Sequence, residues 1–316
     1  MGRSIVIVAV LLSCGIHAWM VQAHVGTGIN LDREGRVYFT DTLHNRIWRL
    51  DPDGRLTSLA QGMHLDFLIV GDDGNLYLVD DRAWRLTPQG GLTEVVRSAD
   101  IPKTLAWAFA VDDQGNIKGP QRRFGRISAV AEGPDGSIYA LDEEQRIRRI
   151  KPDGTASILA NSEEAAYAEG GEERRVRSMG LAVDAENNVY VANYWKRSVF
   201  KLSPDGRIST VLISRWPWVP VGVTTAASDV YVIERMGNPY GPSGLFQVST
   251  LEDRLGSPRI RKVSRDGTVT TLAVVKGERG LAVIIVPISI AILAIFIWRV
   301  RKKQMKRRGA FGEVRS

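Results

Sequence analysis

The chain has 316 residues, of which 44% are hydrophobic, so it can bury the core of one large domain or two ordinary ones. Its formal net charge is +7, but residues 299–316 hold eight Lys/Arg and one Glu, which leaves 42 − 8 = 34 basic and 35 − 1 = 34 acidic residues elsewhere. Because the rest of the chain is neutral, its charge argues against a nucleic-acid partner.

Residues 1–23 have the pattern of a secretory signal peptide. Arg3 precedes an apolar stretch over residues 5–12, and the Val-Gln-Ala at 21–23 is a candidate cleavage site. Two alternatives are that the segment remains as an uncleaved anchor, or that Cys14 is the acceptor of a lipoprotein signal. Cys14 is the only cysteine, so the exported part has no disulfide, thiol nucleophile or zinc–thiolate site.

A short pattern recurs through residues 24–278. Each copy has an Asp/Asn/Gly-type turn, a strand that starts with an aliphatic residue and a tyrosine, and then a second strand closed by a turn such as "DPDG". The aligned tyrosines are Tyr38, Tyr77, Tyr139, Tyr190 and Tyr231. Strands of alternating polarity that recur at spacings of about 40 residues, with no convincing soluble helix, predict four-stranded blades around an axis.

We therefore predict an all-β, six-bladed β-propeller over residues 24–278. One blade cannot bury both faces, so neighbouring blades must stack, and circular closure removes the exposed edges. The sixth blade in this count comes from "VDDQGNIK" at 111–118, which mimics "GDDGNLYL" at 71–78. If residues 111–118 form only an inserted hairpin, the blade count is five.

The opening copy, "DREGRVYFTDTLHNRIWRLDPDG" at 32–54, resembles NHL-repeat propellers and, nearly as closely, receptor propellers built on a Tyr-Trp-Thr-Asp motif. More broadly, residues 25–275 resemble the six-bladed superfamily of senescence-marker/gluconolactonase and strictosidine-synthase-like proteins. That superfamily contains lactonases, lyases, receptors and scaffolds. The resemblance therefore implies the fold and leaves function to be argued from a site.

Oxygen-bearing side chains stand three residues after each repeat tyrosine. They are Asp41, Asp80, Asp142, Asn193 and Glu234. Such side chains could converge near the axis and hold calcium. Asp and Asn at a strand end more often bond the local backbone and shape the corner, and we favour that interpretation.

An enzymatic alternative requires a divalent-metal site. The resemblance to gluconolactonases implies a metal held by the glutamate of a Glu-Gly-Pro motif together with Asn and Asp from later blades. The matching motif is Glu132-Gly133-Pro134, and the candidate metal set is Glu132, Asn193 and Glu234. Glu132 precedes its repeat tyrosine by seven residues, whereas Asn193 and Glu234 follow theirs by three. A shared metal site therefore requires these two different positions of the repeat to lie at the same end of the channel. We therefore expect no cofactor, and calcium or a similar cation belongs to the alternative only.

Other catalytic signatures are missing from the sequence. No histidine pair has metal-binding spacing, and no Gly-x-Ser-x-Gly elbow, Walker loop or dinucleotide fingerprint occurs.

Three insertions interrupt the repeat, at 104–125, 161–178 and 235–259. Long loops project from an end of a propeller, where recognition usually occurs. Aromatic and basic residues in the insertions and in "SRWPWVP" are of the types enriched at binding hot spots. The binding-face candidates are Trp107, Phe109, Arg122, Arg123, Trp216, Trp218, Tyr240 and Phe246. The alternative for Trp107 or Trp216 is packing between blades.

Residues 279–298 are predicted to form one transmembrane helix. The run 280–298 has no ionisable side chain and, at about 1.5 Å per residue, nearly matches the thickness of a bilayer core. The positive-inside rule then places the basic tail, 299–316, in the cytoplasm. The chain is thus predicted to be a single-pass type I protein of the cell membrane with an extracytoplasmic propeller.

The sequence favours a membrane-anchored binding module, and not an enzyme, whose partner is a membrane-proximal protein or a small ligand. The alternative is a metal-dependent lactonase or related hydrolase on the same fold. A third hypothesis is a part of a sensing apparatus whose basic tail contacts anionic lipid or a cytoplasmic partner.

Overall fold

The structure is a computed structural model. It describes residues 28–41, 45–62, 67–79, 82–106, 109–120, 127–142, 144–161, 178–236 and 258–275. The predicted signal peptide, transmembrane helix and basic tail lie outside these ranges, so the membrane topology stays a prediction. Within the described ranges, no helix is both long and apolar enough to cross a bilayer.

Five four-stranded antiparallel sheets, each built from consecutive strands, form the blades of a β-propeller. Blade 1 contains β1 (Ile29–Leu31), β2 (Val37–Asp41), β3 (Arg46–Leu50) and β4 (Leu56–Gln61). Blade 2 contains β5 (Phe67–Val70), β6 (Leu76–Val79), β7 (Ala83–Leu86) and β8 (Leu92–Val95). A helical turn, α1 (Lys103–Ala106), and a hairpin of β9 (Phe109–Val111) and β10 (Ile117–Pro120) follow.

The remaining three blades continue the same order. Blade 3 contains β11 (Ile127–Glu132), β12 (Ile138–Asp142), β13 (Arg146–Ile150) and β14 (Ala156–Asn161). Blade 4 contains β15 (Ser178–Val183), β16 (Val189–Asn193), β17 (Ser198–Leu202) and β18 (Ile208–Ile213). Blade 5 contains β19 (Trp218–Ala226), β20 (Asp229–Met236), β21 (Arg259–Val263) and β22 (Val269–Val274). The prediction of an all-β propeller is confirmed.

The prediction of six blades is wrong, and the five-blade alternative describes the structured ranges. Residues 111–118 do reproduce the turn of a repeat, because Asp112 accepts a hydrogen bond from the backbone N–H of Asn116 at 2.8 Å. However, β9 and β10 form only a two-stranded sheet. The side chains of Leu105 and Phe109 are buried in one cluster with blade 2, and α1 contacts β11 of blade 3. A helical turn and a hairpin therefore stand between blades 2 and 3 in place of a blade.

The repeat tyrosines of blades 1 and 4 lock the first turn of their own blade. The hydroxyl of Tyr38 donates to Asp32 at 3.0 Å, and Tyr190 donates to Asp184 in the same way at 2.9 Å. Burial and the hydrogen bond to Asp32 raise the pKa of Tyr38 to about 12. Burial would raise the pKa of Asp32, but hydrogen bonds from the backbone and guanidinium of Arg36 outweigh it and lower that pKa. At neutral pH the pair of Tyr38 and Asp32 is thus a phenol donating to a carboxylate.

Side-chain packing joins the first and last blades, since the strands of the described ranges include none shared between these two blades. Ile29 and Phe39 of blade 1 lie in one buried cluster with Val219 and Val221 of blade 5. Blades 4 and 5 approach so closely that an added Cβ at Gly180 would stand 2.6 Å from the Cα of Gly222. Among the described residues, apolar contacts, small residues and a few side-chain hydrogen bonds and ion pairs hold the blades together, and no backbone ladder joins one blade to the next.

The two ends of the propeller differ, since strands alternate in direction within each blade. The turns from first to second and from third to fourth strand are short and share one end, which we call the turn end. The connections from second to third strand and from one blade to the next share the opposite end, which we call the loop end. Residues 162–177 and 237–257 lie outside the described ranges, but the strands that flank them end or begin at the loop end.

Candidate functional site

The first strand of each blade borders a central channel. The channel-facing edges of β1, β5, β11, β15 and β19 have no strand partner among the described residues, so their backbone N–H and C=O groups are available to the channel. A cavity of about 290 Å³ is lined mainly by the last residues of these strands. Pro102 and Thr104, next to and within α1, complete the lining where a sixth inner strand would stand. The cavity therefore lies toward the turn end.

Glu132 is the central ionisable group of this cavity. It is the last residue of β11, its side chain is exposed, and its Oε2 accepts a hydrogen bond from the hydroxyl of Thr104 at 2.8 Å. Asp72 also borders the cavity, but its carboxylate is at the exposed rim and pairs with Arg33 at 2.7 Å. No Lys, Arg or His belongs to the described lining. The described lining thus contains two carboxylates and no cation, and Glu132 is the one held by a hydrogen bond from a neighbouring element.

The three candidate metal ligands lie at different ends of the propeller. Glu132 ends a first strand, at the turn end, and pairs with Ile138 at the start of β12. Asn193 and Glu234 stand on second strands at the loop end, opposite Ser178 and Pro220 near the starts of β15 and β19. A five-residue strand is about 16 Å long, so the structure does not bring these three side chains together.

The strand-end residues have the hydrogen bonds of corner-forming groups. Asn193 is fully buried, and its Oδ1 accepts from the backbone N–H of Lys196 at 2.8 Å. Asp142 is equally buried and accepts from the backbone N–H of Arg146 at 2.9 Å. Glu234, also fully buried, forms an ion pair with Arg259 and accepts a hydrogen bond from Ser214. Asp41 is buried at the same position of blade 1, and Asp80 lies outside the described residues.

The donor set around Glu132 does not fit a hard divalent cation. Calcium takes six to eight oxygen ligands, several of them usually carboxylates. The Oδ1 of Asn30 already accepts from the backbone N–H of Leu31 at 2.8 Å, and the hydroxyl of Thr225 donates to the carbonyl of Val183 at 3.0 Å. Over the described part of the chain, no three His, Cys, Asp or Glu side chains gather at one point.

The binding-face candidates separate into three groups. Trp216 is 64% exposed at the loop end, so it does not pack between blades. Trp218 is partly buried, with the Arg259 guanidinium 4.1 Å from its ring centroid. Phe109 is only 5% exposed, and its assignment to a binding face is wrong because it belongs to the core beside blade 2. Trp107, Arg122, Arg123, Tyr240 and Phe246 lie outside the described residues.

The channel cavity was not predicted from the sequence, although one signal for it exists. Leu31, Val70 and Val183 end the first strands of blades 1, 2 and 4, each opposite an aliphatic residue of the second strand. The same register position holds Glu132 in blade 3 and Thr225 in blade 5. Polar residues at an otherwise aliphatic position thus mark Glu132 and Thr225, two of the polar residues that line the cavity.

Solved structures include several propellers with a similar fold. A luciferin-regenerating enzyme is 16% identical, covers 81% of this chain and 95% of its own, and has a TM-score of 0.50. A virginiamycin B lyase from Staphylococcus aureus is 13% identical, over 78% of this chain and 83% of its own, with a TM-score of 0.47. A calcium-binding protein, regucalcin, from Agrobacterium tumefaciens is 17% identical, over 66% of this chain and 81% of its own, with a TM-score of 0.47.

The likeness is one of fold. At such low identity it says nothing about the chemistry of this chain. No protein-family model matches the chain, and no curated protein matches it either. Membership of the NHL-repeat family therefore stays a prediction.

Proposed function

We propose that the protein is a membrane-tethered, extracytoplasmic binding module whose ligand site is the channel cavity at the turn end. The ligand is a small polar molecule that is neutral or positively charged. The observation that carries this proposal is the cavity of about 290 Å³ with Glu132 as its central charge and no cation in its described lining.

The size and the lining of the cavity support a small ligand. Binding pockets for small molecules begin at about 300 Å³, so the cavity suits a metabolite-sized compound and not a polypeptide. The free strand edges offer backbone donors and acceptors, and Glu132 offers an acceptor for an ammonium or hydroxyl group. A carboxylate ligand would be repelled by the Glu132 side chain, because the described lining of the cavity contains no cation to compensate that charge.

The cellular setting of the proposal comes from the sequence. The predicted signal at 1–23 and the predicted span at 279–298 place the propeller outside the cytoplasm and confine it to the membrane surface. A membrane-proximal protein remains the second kind of partner, through the loop end.

A metal-dependent lactonase is the second candidate function. The observation that favours it is that Glu132, the glutamate of the Glu-Gly-Pro motif, does line the channel cavity. Against it, the other two proposed ligands are held at the loop end in local hydrogen bonds and an ion pair. We therefore place binding before hydrolysis and derive no catalytic step.

We expect the melting temperature of the full chain in detergent to rise with small amines, amino alcohols or polyols, and not with carboxylates of equal size. A ligand at a hundredfold excess over its Kd adds about 2.7 kcal/mol to the free energy of unfolding, which a thermal melt detects. Glu132→Gln should remove the shift caused by cationic compounds. Glu144→Gln, on an exposed side chain at the loop end of the same blade, is the matched control and should keep it.

Two results would count against this assignment. If none of these compounds shifts the melting temperature of the unchanged protein or of either variant, the proposed ligand site is wrong. A shift with calcium or manganese that Glu132→Gln abolishes would instead favour the lactonase.

A further inference from the structure

The loop end has an exposed apolar pair in the connection between blades 4 and 5. Ile213 is 67% exposed and Trp216 is 64% exposed, the two highest values among the exposed large hydrophobic residues of the described chain. The backbone N–H of Ser214 donates to the carbonyl of Arg197 at 2.7 Å, so this connection is fixed against the corner of blade 4. The two side chains therefore project from an ordered surface.

One exposed basic residue, Arg215, lies between Ile213 and Trp216 in the chain. The turns at the opposite end carry exposed acidic side chains, among them Asp53, Asp72, Asp153, Asp205 and Asp266. Several of these pair with exposed arginines, as Asp72 does with Arg33 and Asp205 with Arg207. The loop end is thus distinguished by its exposed apolar pair with a basic residue beside it.

The chain leaves the propeller at the loop end. β22 ends at Val274, and the backbone N–H of Val275 donates to the carbonyl of Pro258 at 2.9 Å, which fixes the exit point. Residues 276–278 separate Val275 from the predicted span at 279–298. Three residues reach at most about 11 Å when fully extended, so the tether holds the loop end close to the bilayer.

We propose that the loop end docks on the bilayer surface, with Ile213 and Trp216 in the interfacial region and the exposed Arg215 against anionic headgroups. Tryptophan suits the interface because its ring is apolar and its N–H is polar, and juxtamembrane basic residues are attracted by anionic lipid. The turn end then faces the aqueous compartment, with the channel cavity open to solute. This orientation rests on the predicted membrane-spanning helix and not on the cavity's ligand.

The test uses the full chain, with Cys14→Ser, in proteoliposomes of phosphatidylcholine with or without phosphatidylglycerol. An environment-sensitive fluorophore is attached through Ile213→Cys, and, as the matched control, through Asp205→Cys at the turn end of the same blade. Spin-labelled phospholipid should quench the fluorophore at position 213 at least about threefold more strongly than at position 205, because the two ends of a strand pair are separated by about 20 Å. Trp216→Asp, at an exposed site, and omission of phosphatidylglycerol should each reduce the quenching at position 213.

The contrary outcomes are distinct. Equal quenching at both positions, or stronger quenching at position 205, overturns the orientation. Quenching at position 213 that is unchanged by Trp216→Asp and by lipid charge means that the tether alone brings the loop end near the bilayer, and this overturns docking. A blue shift at position 213 without lipid quenching indicates that a protein or a second copy covers the apolar pair, which also overturns it. If a high-pH wash releases the chain from the vesicles, the chain has no membrane-spanning tether and the docking proposal is overturned. Ligand binding by the cavity would be unaffected by that result.

Discussion

Replacing Gly180 with alanine is expected to destabilise the propeller by about 2–3 kcal/mol, the cost of overpacking a well-packed site. The new Cβ would lie 2.6 Å from the Cα of Gly222 and 2.9 Å from the backbone N of Val223. Both are backbone atoms of β19, so no side chain can rotate away. The inner strands of blades 4 and 5 would have to separate, and the ring depends on packing of this kind because no strand of the described ranges bridges two blades.

Denaturant unfolding of the variant and the unchanged protein, followed by the β-sheet circular dichroism signal, measures this loss. Gly91→Ala is the matched control, because its nearest neighbour is the hydroxyl of Thr87 at 3.1 Å, at the end of a side chain that can move. We expect the control to change stability by no more than about 0.5 kcal/mol. Equal stability of the two variants would mean that blades 4 and 5 are not in close contact.

Glu234→Ala should cost about 3–5 kcal/mol, the range for breaking a buried ion pair by removing one partner. The Glu234 side chain is fully buried, and the side chain of its partner Arg259 is only 16% exposed. Truncation leaves a guanidinium in a site that water reaches poorly, and it also removes the acceptor of the Ser214 hydroxyl. The effect should appear as a lower denaturant midpoint.

The control for Glu234→Ala is Glu94→Ala, which breaks the exposed pair of Glu94 and Arg82 at 3.5 Å. An exposed pair is worth about 0–1 kcal/mol, so this variant should remain close to the unchanged protein. If Glu234→Ala lowers the free energy of unfolding no more than Glu94→Ala does, the ion pair of Glu234 with Arg259 does not stabilise the fold. Glu234 would then again be a candidate metal ligand.

The sequence was sufficient for the architecture but not for the number of blades. The tyrosine positions and the two turns of each copy are set by local interactions, such as the bond from Tyr38 to Asp32, and these are readable in a single copy. The fragment at 111–118 has the same local turn, made by Asp112, and therefore looks like a further copy. A blade also needs two further strands next to this turn. The described residues around it instead form α1, which precedes the turn, and the single hairpin of β9 and β10.

The site was predicted only in part, for reasons of strand direction and burial. Glu132 was singled out from its motif and does line the cavity. Asn193 and Glu234 share a repeat position near the ends of the second strands of their blades. Because a second strand runs antiparallel to the first, these two residues lie at the loop end, whereas Glu132, at the end of a first strand, lies at the turn end. Phe109 has the composition of a hot-spot residue, yet only tertiary packing shows that it belongs to the core. Thr104 contacts Glu132 across 28 positions of sequence, a pairing that no local pattern contains.

Thiol accessibility inside the channel tests most directly whether the cavity is an open binding site governed by Glu132. Thr224 lines the cavity and is 9% exposed, so Thr224→Cys in a Cys14→Ser background places one thiol there. We predict that a small cationic methanethiosulfonate reacts with it roughly 10-fold faster than an anionic one of the same size, since a charged cleft concentrates ions of opposite sign. Adding Glu132→Gln should bring the two rates together. No reaction with either reagent in the folded protein, or a rate ratio that Glu132→Gln leaves unchanged, would contradict the proposed site.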